Sequence, residues 1–548
     1  MQVPVHPKGS SARVLFSAVF GPYAQDDEFG SRAINPMELY HNQVTRAQGP
    51  FSLRMFHRSW GILFIQHNIK APCTVLDFPR MEDFRREITE NHYDIIGISS
   101  IIVNVGKVTE MCRVARELSP DSEIIVGGHV TAIDGIESMV DADHYVKGDG
   151  VAWMRRHLGE DPTAPLTHPP IISGYDHRAL GVKPGRPNST LTATVIPSAG
   201  CPMGCNFCTT SSFFGGKGKM VNFFETGKEL FDIMCKLEAD TGAKSFFVMD
   251  ENFLLQRPRA MDLLALMRQE SKAWQLYVFS SANAIRKYTM DELVQLGVSW
   301  IWMGLESPQA SYSKLDGTDT VAMTHQLQRH GIKVLGSTII GLEHHTPGNL
   351  DGEIDYAISH ETDFHQFMLY TPVPGTPLYK QIESEGRLLP GVNLADIHGQ
   401  HKFNFQHAAI GRDDSKRMLD EAFQRDYEVN GPSLYRICRT TLDGWLRYKN
   451  YPDLRVRERF EREIQSLKVV YSGMLWAMAR YLRKANAGIS IKIDELRHDV
   501  EKEFGFSSKA ASAVLGPYLL WSSRREEKRQ AAGVTYEPSP VTERRNWA

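Results

Sequence analysis

Three of the seven cysteines in this chain of 548 residues fall within one octapeptide, Cys201-Pro202-Met203-Gly204-Cys205-Asn206-Phe207-Cys208. Their spacing is C-x3-C-x2-C. Thiolates are soft ligands that select iron–sulfur clusters, and three from one short loop can hold three irons of a [4Fe–4S] cluster. The fourth iron then lacks a protein ligand and stands open to a small chelating molecule. A closed zinc site wants four ligands, usually as paired short motifs. Here no second C-x2-C follows, the loop has no histidine, and Cys73, Cys112, Cys235 and Cys438 are scattered.

Such a loop must be presented by a rigid element. Residues 191–196, Leu-Thr-Ala-Thr-Val-Ile, read as a buried strand that ends just before Cys201. Five more apolar runs follow, each ending in polar or small residues. Residues 244–249 end in Asp250-Glu251-Asn252, and 275–279 end in Ser280-Ser281. Residues 300–305 end in Glu306-Ser307, 333–340 in Gly341-Leu342-Glu343, and 364–369 in Tyr370-Thr371-Pro372. Six β/α units with polar carboxyl ends predict a parallel barrel-like sheet whose active face is that rim.

The cysteine spacing, with the aromatic Phe207 before the third cysteine, resembles the signature of radical S-adenosylmethionine (SAM) enzymes. The strand order resembles their partial (β/α)6 barrel. That resemblance implies that Cys201, Cys205 and Cys208 ligate iron and that SAM chelates the open iron. It places Asp250, Glu251 and Asn252 near the SAM amino group. It places Ser280 and Glu306 near its carboxylate or ribose, and Gly336 and Gly341 on the strand that flanks adenine.

The first part of the chain alternates apolar strands with helices, which predicts a doubly wound parallel sheet covered on both faces. Strands are expected at 13–20, 74–77, 94–100 and 123–129, with helices over 60–68, 81–91 and 105–118. Ligands of such sheets bind outside the carboxyl ends of the strands. Ser99, Ser100, Gly127 and Gly128 stand at two such ends. Residues 13–155 resemble the cobalamin-binding domain that precedes many radical SAM barrels, and those four residues resemble the place that lodges the nucleotide tail. The Asp-x-His-x-x-Gly loop of that fold is absent, and Gly21-Pro22-Tyr23-Ala24-Gln25-Asp26-Asp27 stands there without histidine. The run Thr371-Pro372-Val373-Pro374-Gly375-Thr376-Pro377-Leu378-Tyr379 resembles a stretch typical of the same branch.

Residues 156–190, rich in Pro, Gly and His, read as an interdomain linker with a turn at Gly185-Arg186-Pro187. Phe460, Ile464, Leu467, Tyr471, Met474 and Met478 recur at helical spacing, opposite Arg457, Glu458, Glu461, Arg462 and Lys468. Arg436, Arg439, Arg447, Lys449, Arg455 and Arg459 cluster nearby, which raises a peripheral membrane role as a minor reading. The polar end of the chain reads as disordered.

The expected organisation is α/β. It comprises a Rossmann-like cobalamin-binding type domain over 1–155, a linker over 156–190 and a radical SAM partial barrel over 191–388. A helical region over 389–525 and a disordered tail over 526–548 complete it. The composition is 42% hydrophobic and 23% charged with a net charge of −3, which gives no footprint for nucleic acid. No apolar run approaches the ~20 residues of a membrane span, and few cysteines in a reducing setting fit the cytoplasm.

The resemblance implies an enzyme that cleaves SAM to a 5′-deoxyadenosyl radical and methylates an unactivated carbon of a small-molecule, lipid or peptide substrate. Its cofactors would be a [4Fe–4S] cluster, SAM and cobalamin. An external one-electron reductant of flavodoxin or ferredoxin type would serve it. Two alternatives stay open: a radical SAM cyclase or oxidoreductase without methyl transfer, and a non-catalytic cobalamin-binding protein with a structural cluster.

Overall fold

The computed structural model of the chain describes residues 3–30, 39–183, 191–307, 315 and 317–547. The turn expected at Gly185-Arg186-Pro187 lies outside the described residues.

Two six-stranded sheets carry the fold. The first uses β1 (Val14–Ser17), β2 (Cys73–Asp77), β3 (Ile95–Ser99), β4 (Glu123–Gly127) and β5 (His144–Val146), all parallel. The second uses β6 (Thr192–Val195), β7 (Ser245–Val248), β8 (Gln275–Phe279), β9 (Val298–Gly304), β10 (Lys333–Ile340) and β11 (Phe364–Leu369). These six are parallel in sequence order from β6 to β11. The α/β class follows from the alternation seen in the sequence. In the first sheet β1 lies between β2 and β3, so the strand order reverses there. A reversal of that kind opens a crevice at the carboxyl ends of the strands.

The helices lie where apolar spacing demands them. Val105–Leu118 buries Val108, Met111, Cys112 and Ala115, the i, i+3, i+4, i+7 stripe of an amphipathic helix. Thr226 caps Gly227–Thr241 with a reciprocal Thr226–Glu229 capping box. The two sheets share one apolar core in which Val14, Phe64 and Val75 of the first part join Val195, Phe246 and Leu263 of the second. The segment expected to be a linker is seated across that junction. His168 accepts a hydrogen bond from the Ile196 N–H at 2.9 Å, and Tyr175–Arg178 pairs antiparallel with Arg54–Phe56.

The tail departs from expectation. The helix Phe506–Ala531 runs past 526, and β12 (Val541–Arg545) pairs antiparallel with β2 to complete the first sheet. Its charged residues read as a solvated tail in sequence. They serve as the polar edge of a sheet, where Arg544 meets Glu87 and Glu543 meets Arg58. Upstream, the Glu537 carboxylate accepts from the Tyr23 and Ala24 N–H groups at 2.7 and 3.0 Å, closing the loop after β1.

Four of the six basic residues behind the membrane reading make contacts within the protein, and Arg447 is exposed. Arg436 and Arg459 are buried. Arg436 donates to Asp426 at 2.8 Å and Arg459 to the Val294 carbonyl at 2.9 Å. Lys449 meets Glu503 at 2.6 Å, and Arg455 meets Asp453 at 2.7 Å. These charges tie helices to the barrel and to one another. The expected long helix is Leu454–Ser466 and Ser472–Leu482, joined through a π-helical turn at Leu467–Tyr471. Phe460, Ile464, Leu467, Met474 and Met478 are buried, and Tyr471 is half-buried. Among the described residues no helix is long and apolar enough to cross a membrane.

Candidate active site

β6 ends at Val195, and the chain makes one short strand, Ser198–Ala199, before the cysteine loop. Cys208 caps the following helix, Thr209–Phe213, its sulfur accepting from the Ser211 N–H at 3.5 Å. The Cys208 N–H donates to the Cys205 carbonyl at 3.0 Å, and the Ser211 hydroxyl donates to the Cys201 carbonyl at 2.7 Å. The loop therefore bends back on itself, and all three cysteines keep partial solvent contact. Burial pushes the Cys201 thiol up to about 11, and Cys208, Cys205 and Glu251 add to the rise. Three thiols and a carboxyl group thus share one small space. Ionised, they call for a strongly cationic occupant, which is the condition an iron cluster meets.

The residues at the end of β7 divide into two roles. The Asp250 carboxylate is buried and accepts from Ser198 Oγ at 2.8 Å, from the Asn252 N–H at 2.9 Å and from the buried Arg259 guanidinium. Asn252 binds Ser281 Oγ at 3.0 Å through Nδ2, while its Oδ1 accepts from Ser280 Oγ at 3.1 Å and the Ser281 N–H at 3.0 Å. Asp250, Asn252 and Ser280 therefore brace the ends of β6, β7 and β8 against each other. Glu251 is different. Its Oε2 is buried with no hydrogen-bond partner among the described residues. Burial raises its carboxyl to about 8, with Asp250 adding to the rise and the Gly200 N–H opposing it. A buried carboxyl with an unpartnered oxygen thus stands beside the three cysteines.

Glu306 follows β9 with φ at +54° and is 2% exposed. A non-glycine residue there is uncommon and marks a backbone held by its surroundings. The two barrel glycines are packing positions. A Cβ at Gly336 would stand 2.5 Å from Leu305 Cδ1, and one at Gly341 would stand 2.2 Å from the Phe403 ring. At both positions the neighbours are protein side chains, so glycine is required for packing.

At the first sheet, Ser99 and Gly127 are register partners, and the Ser100 N–H donates to the Gly127 carbonyl at 3.1 Å. A Cβ on Gly127 would meet nothing within 4 Å. Gly128 has φ at +81°, and a Cβ there would lie 2.5 Å from the Ser100 carbonyl oxygen. Gly127 faces open space, while Gly128 makes the turn.

The two sheets bring their carboxyl ends together. Phe207 and Tyr370 meet edge to face at 6.4 Å between centroids, and the Leu378 N–H donates to the Asn206 carbonyl at 3.0 Å. In the same run, Gly375 lies so close to Ala132 that a Cβ would be 2.8 Å from its methyl group. The Thr371–Tyr379 run thus spans from the cysteine loop to the turn after β4. His129, in that turn, stacks on Phe213 of the helix capped by Cys208.

Several site groups are absent from the sequence reading. His129 is one. Others form the inner face of the second sheet, where Phe247, Tyr277, Phe279, Trp300 and Trp302 keep partial solvent contact while Leu276, Val278, Ile301 and Met303 are buried. Phe279 stacks on Trp302 at 4.8 Å, and the Trp302 indole N–H donates to Ser337 Oγ at 2.7 Å. Their spacing of two along β8 and β9 was the available signal. His57 and Trp60 close on Phe247 from the first part of the chain, at 5.8 and 6.0 Å.

Residues 195–357 match the radical SAM superfamily. The chain is 23% identical over 359 residues to an uncharacterized methyltransferase of Pyrococcus horikoshii, covering 59% of this chain and 77% of that one. It is 24% identical over 280 residues to the bacteriochlorophyllide d C-12(1)-methyltransferase of Chlorobaculum tepidum, covering 49% and 58%. Against the hopanoid C-2 methylase of Rhodopseudomonas palustris the identity is 22% over 349 residues, covering 60% and 62%. Among solved structures, it aligns with the radical SAM methyltransferase TsrM of Kitasatospora setae at 14% identity. That alignment has a TM-score of 0.47 and covers 84% of this chain and 99% of that one.

Proposed function

We propose that this chain, which carries a radical SAM domain over residues 195–357, is a methyltransferase acting on an unactivated carbon, with a [4Fe–4S] cluster, SAM and cobalamin as cofactors. The observation that carries the reading is the Glu251 carboxyl beside the cysteine loop, with the turn after Gly127 joined to that loop's helix by the His129–Phe213 stack. Two relatives named as methyltransferases of bacteriochlorophyllide d and of hopanoids support methyl transfer.

Cys201, Cys205 and Cys208 would hold the cluster, which supplies the electron for homolytic cleavage of SAM. Glu251 would receive the SAM amino group, whose positive charge favours the ionised carboxylate that burial alone disfavours. Asp250, Asn252 and Ser280 act one step back, as the brace that fixes the rim. Glu306, buried at the end of β9, would stand near the SAM carboxylate or ribose. Ser99, Ser100 and Gly127 would border cobalamin, with Gly128 setting the turn. The aromatic walls of β7, β8 and β9 exclude water and offer an apolar lining to the substrate skeleton. A one-electron donor of the flavodoxin or ferredoxin class would approach from outside.

The test is an anaerobic incubation with SAM, hydroxocobalamin and a chemical reductant. Both 5′-deoxyadenosine and S-adenosylhomocysteine should form. 5′-Deoxyadenosine alone would favour radical chemistry without methyl transfer, and neither product would reduce the cluster to a structural element.

A further inference from the structure

Glu123, His144 and His157 meet at the amino-terminal ends of β4 and β5, the opposite edge of the first sheet from Gly127. Glu123 is the first residue of β4, His144 the first of β5, and His157 the last of the helix Gly150–His157. Their donor atoms all lie within 4.8 Å of one another. His144 Nε2 contacts Glu123 Oε1, and His157 Nε2 lies 3.2 Å from Glu123 Oε2.

The hydrogen bonds around His157 say what stands between them. Its Nδ1 is 2.7 Å from the Pro4 carbonyl oxygen, which can only accept. The Nδ1 must therefore carry the proton. In neutral imidazole, Nε2 is then a bare lone pair, and it is aimed at a carboxylate oxygen. Two acceptors at that distance repel unless a cation lies between them. His157 has only 1% of its side chain exposed, so its imidazole depends on the groups around it, while Glu123 keeps 22% exposure. A second proton would make His157 an imidazolium paired with Glu123 and would leave His144 outside the contact. A metal ion resolves the conflict and uses His144 as well. An imidazole held by a backbone carbonyl through its far nitrogen is the usual second shell of a metal-binding histidine.

We propose that Glu123, His144 and His157 bind one divalent ion of the zinc class. Two imidazoles and a carboxylate suit that ion, which leaves its fourth position to water. His6 is not part of the set. Its Nδ1 accepts from the Lys8 N–H at 3.2 Å, so its Nε2 carries the proton and faces Glu123 at 3.9 Å as a donor. The ion pins β4, β5 and the helix after them. Through Pro4 and His6 it also holds the amino-terminal arm. It stands apart from the cysteine loop and takes no part in the chemistry there.

The test uses the full chain with its cluster reconstituted, stripped of loosely bound metal and titrated with zinc chloride against a chromophoric zinc indicator. His144→Ala and Glu123→Gln change half-exposed side chains, with 23% and 22% exposure, so their fold can be verified by circular dichroism. The native chain should take up one zinc, and both variants should bind it about tenfold more weakly or worse. A Cys201→Ala, Cys205→Ala, Cys208→Ala variant should still take up one. Zinc should raise the melting temperature of the native chain and leave that of His144→Ala unchanged. No stoichiometric zinc in the native chain, equal uptake in the two site variants, or loss of uptake in the cysteine variant would each overturn the proposal.

Discussion

His129 stacks on Phe213 with 4.5 Å between ring centroids and 26° between planes. The contact joins the turn after β4 to the helix capped by Cys208. With the edge-on His129–Phe214 contact at 6.4 Å, it links the open edge of the first sheet to the cysteine loop. Burial lowers the His129 imidazole to about 4, so it is neutral in the folded chain near pH 7. The unfolded chain takes up that proton near 6.5, so the contribution is full above 6.5 and fades as pH falls toward 4. His129→Phe should keep the stack and reduce acid sensitivity in a melting series from pH 7 to 4. His129→Ala should lower the melting temperature at every pH. An unchanged acid slope in His129→Phe would remove His129 from the account.

Asp250 and Glu251 are neighbours with opposite expected phenotypes. Removing Asp250 leaves the Arg259 guanidinium buried without its carboxylate, a change that typically costs about 3–5 kcal/mol. Asp250→Ala should therefore act through stability, with a large fall in denaturation midpoint. Glu251→Gln should fold normally and weaken SAM binding by about 1.5–3 kcal/mol, measured by calorimetry on the reconstituted protein.

Glu251 also gives the chain free of iron and SAM a pH dependence of its own. Its folded value of about 8 exceeds the usual 4.5. Between these values the folded state keeps a proton that the unfolded state releases, so stability falls as pH rises through that window. Glu251→Gln should flatten this part of the stability profile. A profile identical to that of the native chain would show that Glu251 is not held protonated by its surroundings.

Gly127 and Gly128 should respond differently to enlargement. Gly128→Ala forces a side chain onto the Ser100 carbonyl at positive φ and should lower the melting temperature. Gly127→Val enters open space and should leave melting unchanged while reducing retention of hydroxocobalamin after desalting. Full retention in a well-folded Gly127→Val would move the cofactor away from this edge.

The cysteine loop and the strand ends were legible because their signal is local. Spacing within eight residues, or an apolar run closed by polar residues, survives without knowledge of the fold. What was not legible depends on distant partners. Arg436 reads as surface charge until Asp426 and the Thr362 carbonyl appear beside it. Asp250 reads as a ligand group until Arg259, nine residues on, turns back to it. Nothing near Gly336 in sequence announces that Leu305 and Thr362 fill the space above it. Trp300 and Trp302 show the period of a strand, but only sheet closure shows which face is the interior. The strand at Val541–Arg545 has no apolar run to announce it, because an edge strand can satisfy its backbone with a charged outer face.

The tail yields the last expectation. Glu537 closes the loop Gly21–Asp27 by accepting from the Tyr23 and Ala24 N–H groups, and Lys107 supports it from below through the Phe20 and Pro22 carbonyls. β12 then covers the free edge of β2. This loop stands at the carboxyl end of β1 and offers backbone groups and carboxylates. A chain ending at Gly533 would lose both the Glu537 clasp and the edge strand. It should melt at lower temperature and retain less hydroxocobalamin, while still taking up about four irons per chain on anaerobic reconstitution, because the cysteine loop makes none of these contacts. The single substitution Glu537→Gln keeps β12 and should affect cobalamin retention with little change in melting. Native retention in both variants would separate the tail from the cofactor edge and leave it a purely structural strand.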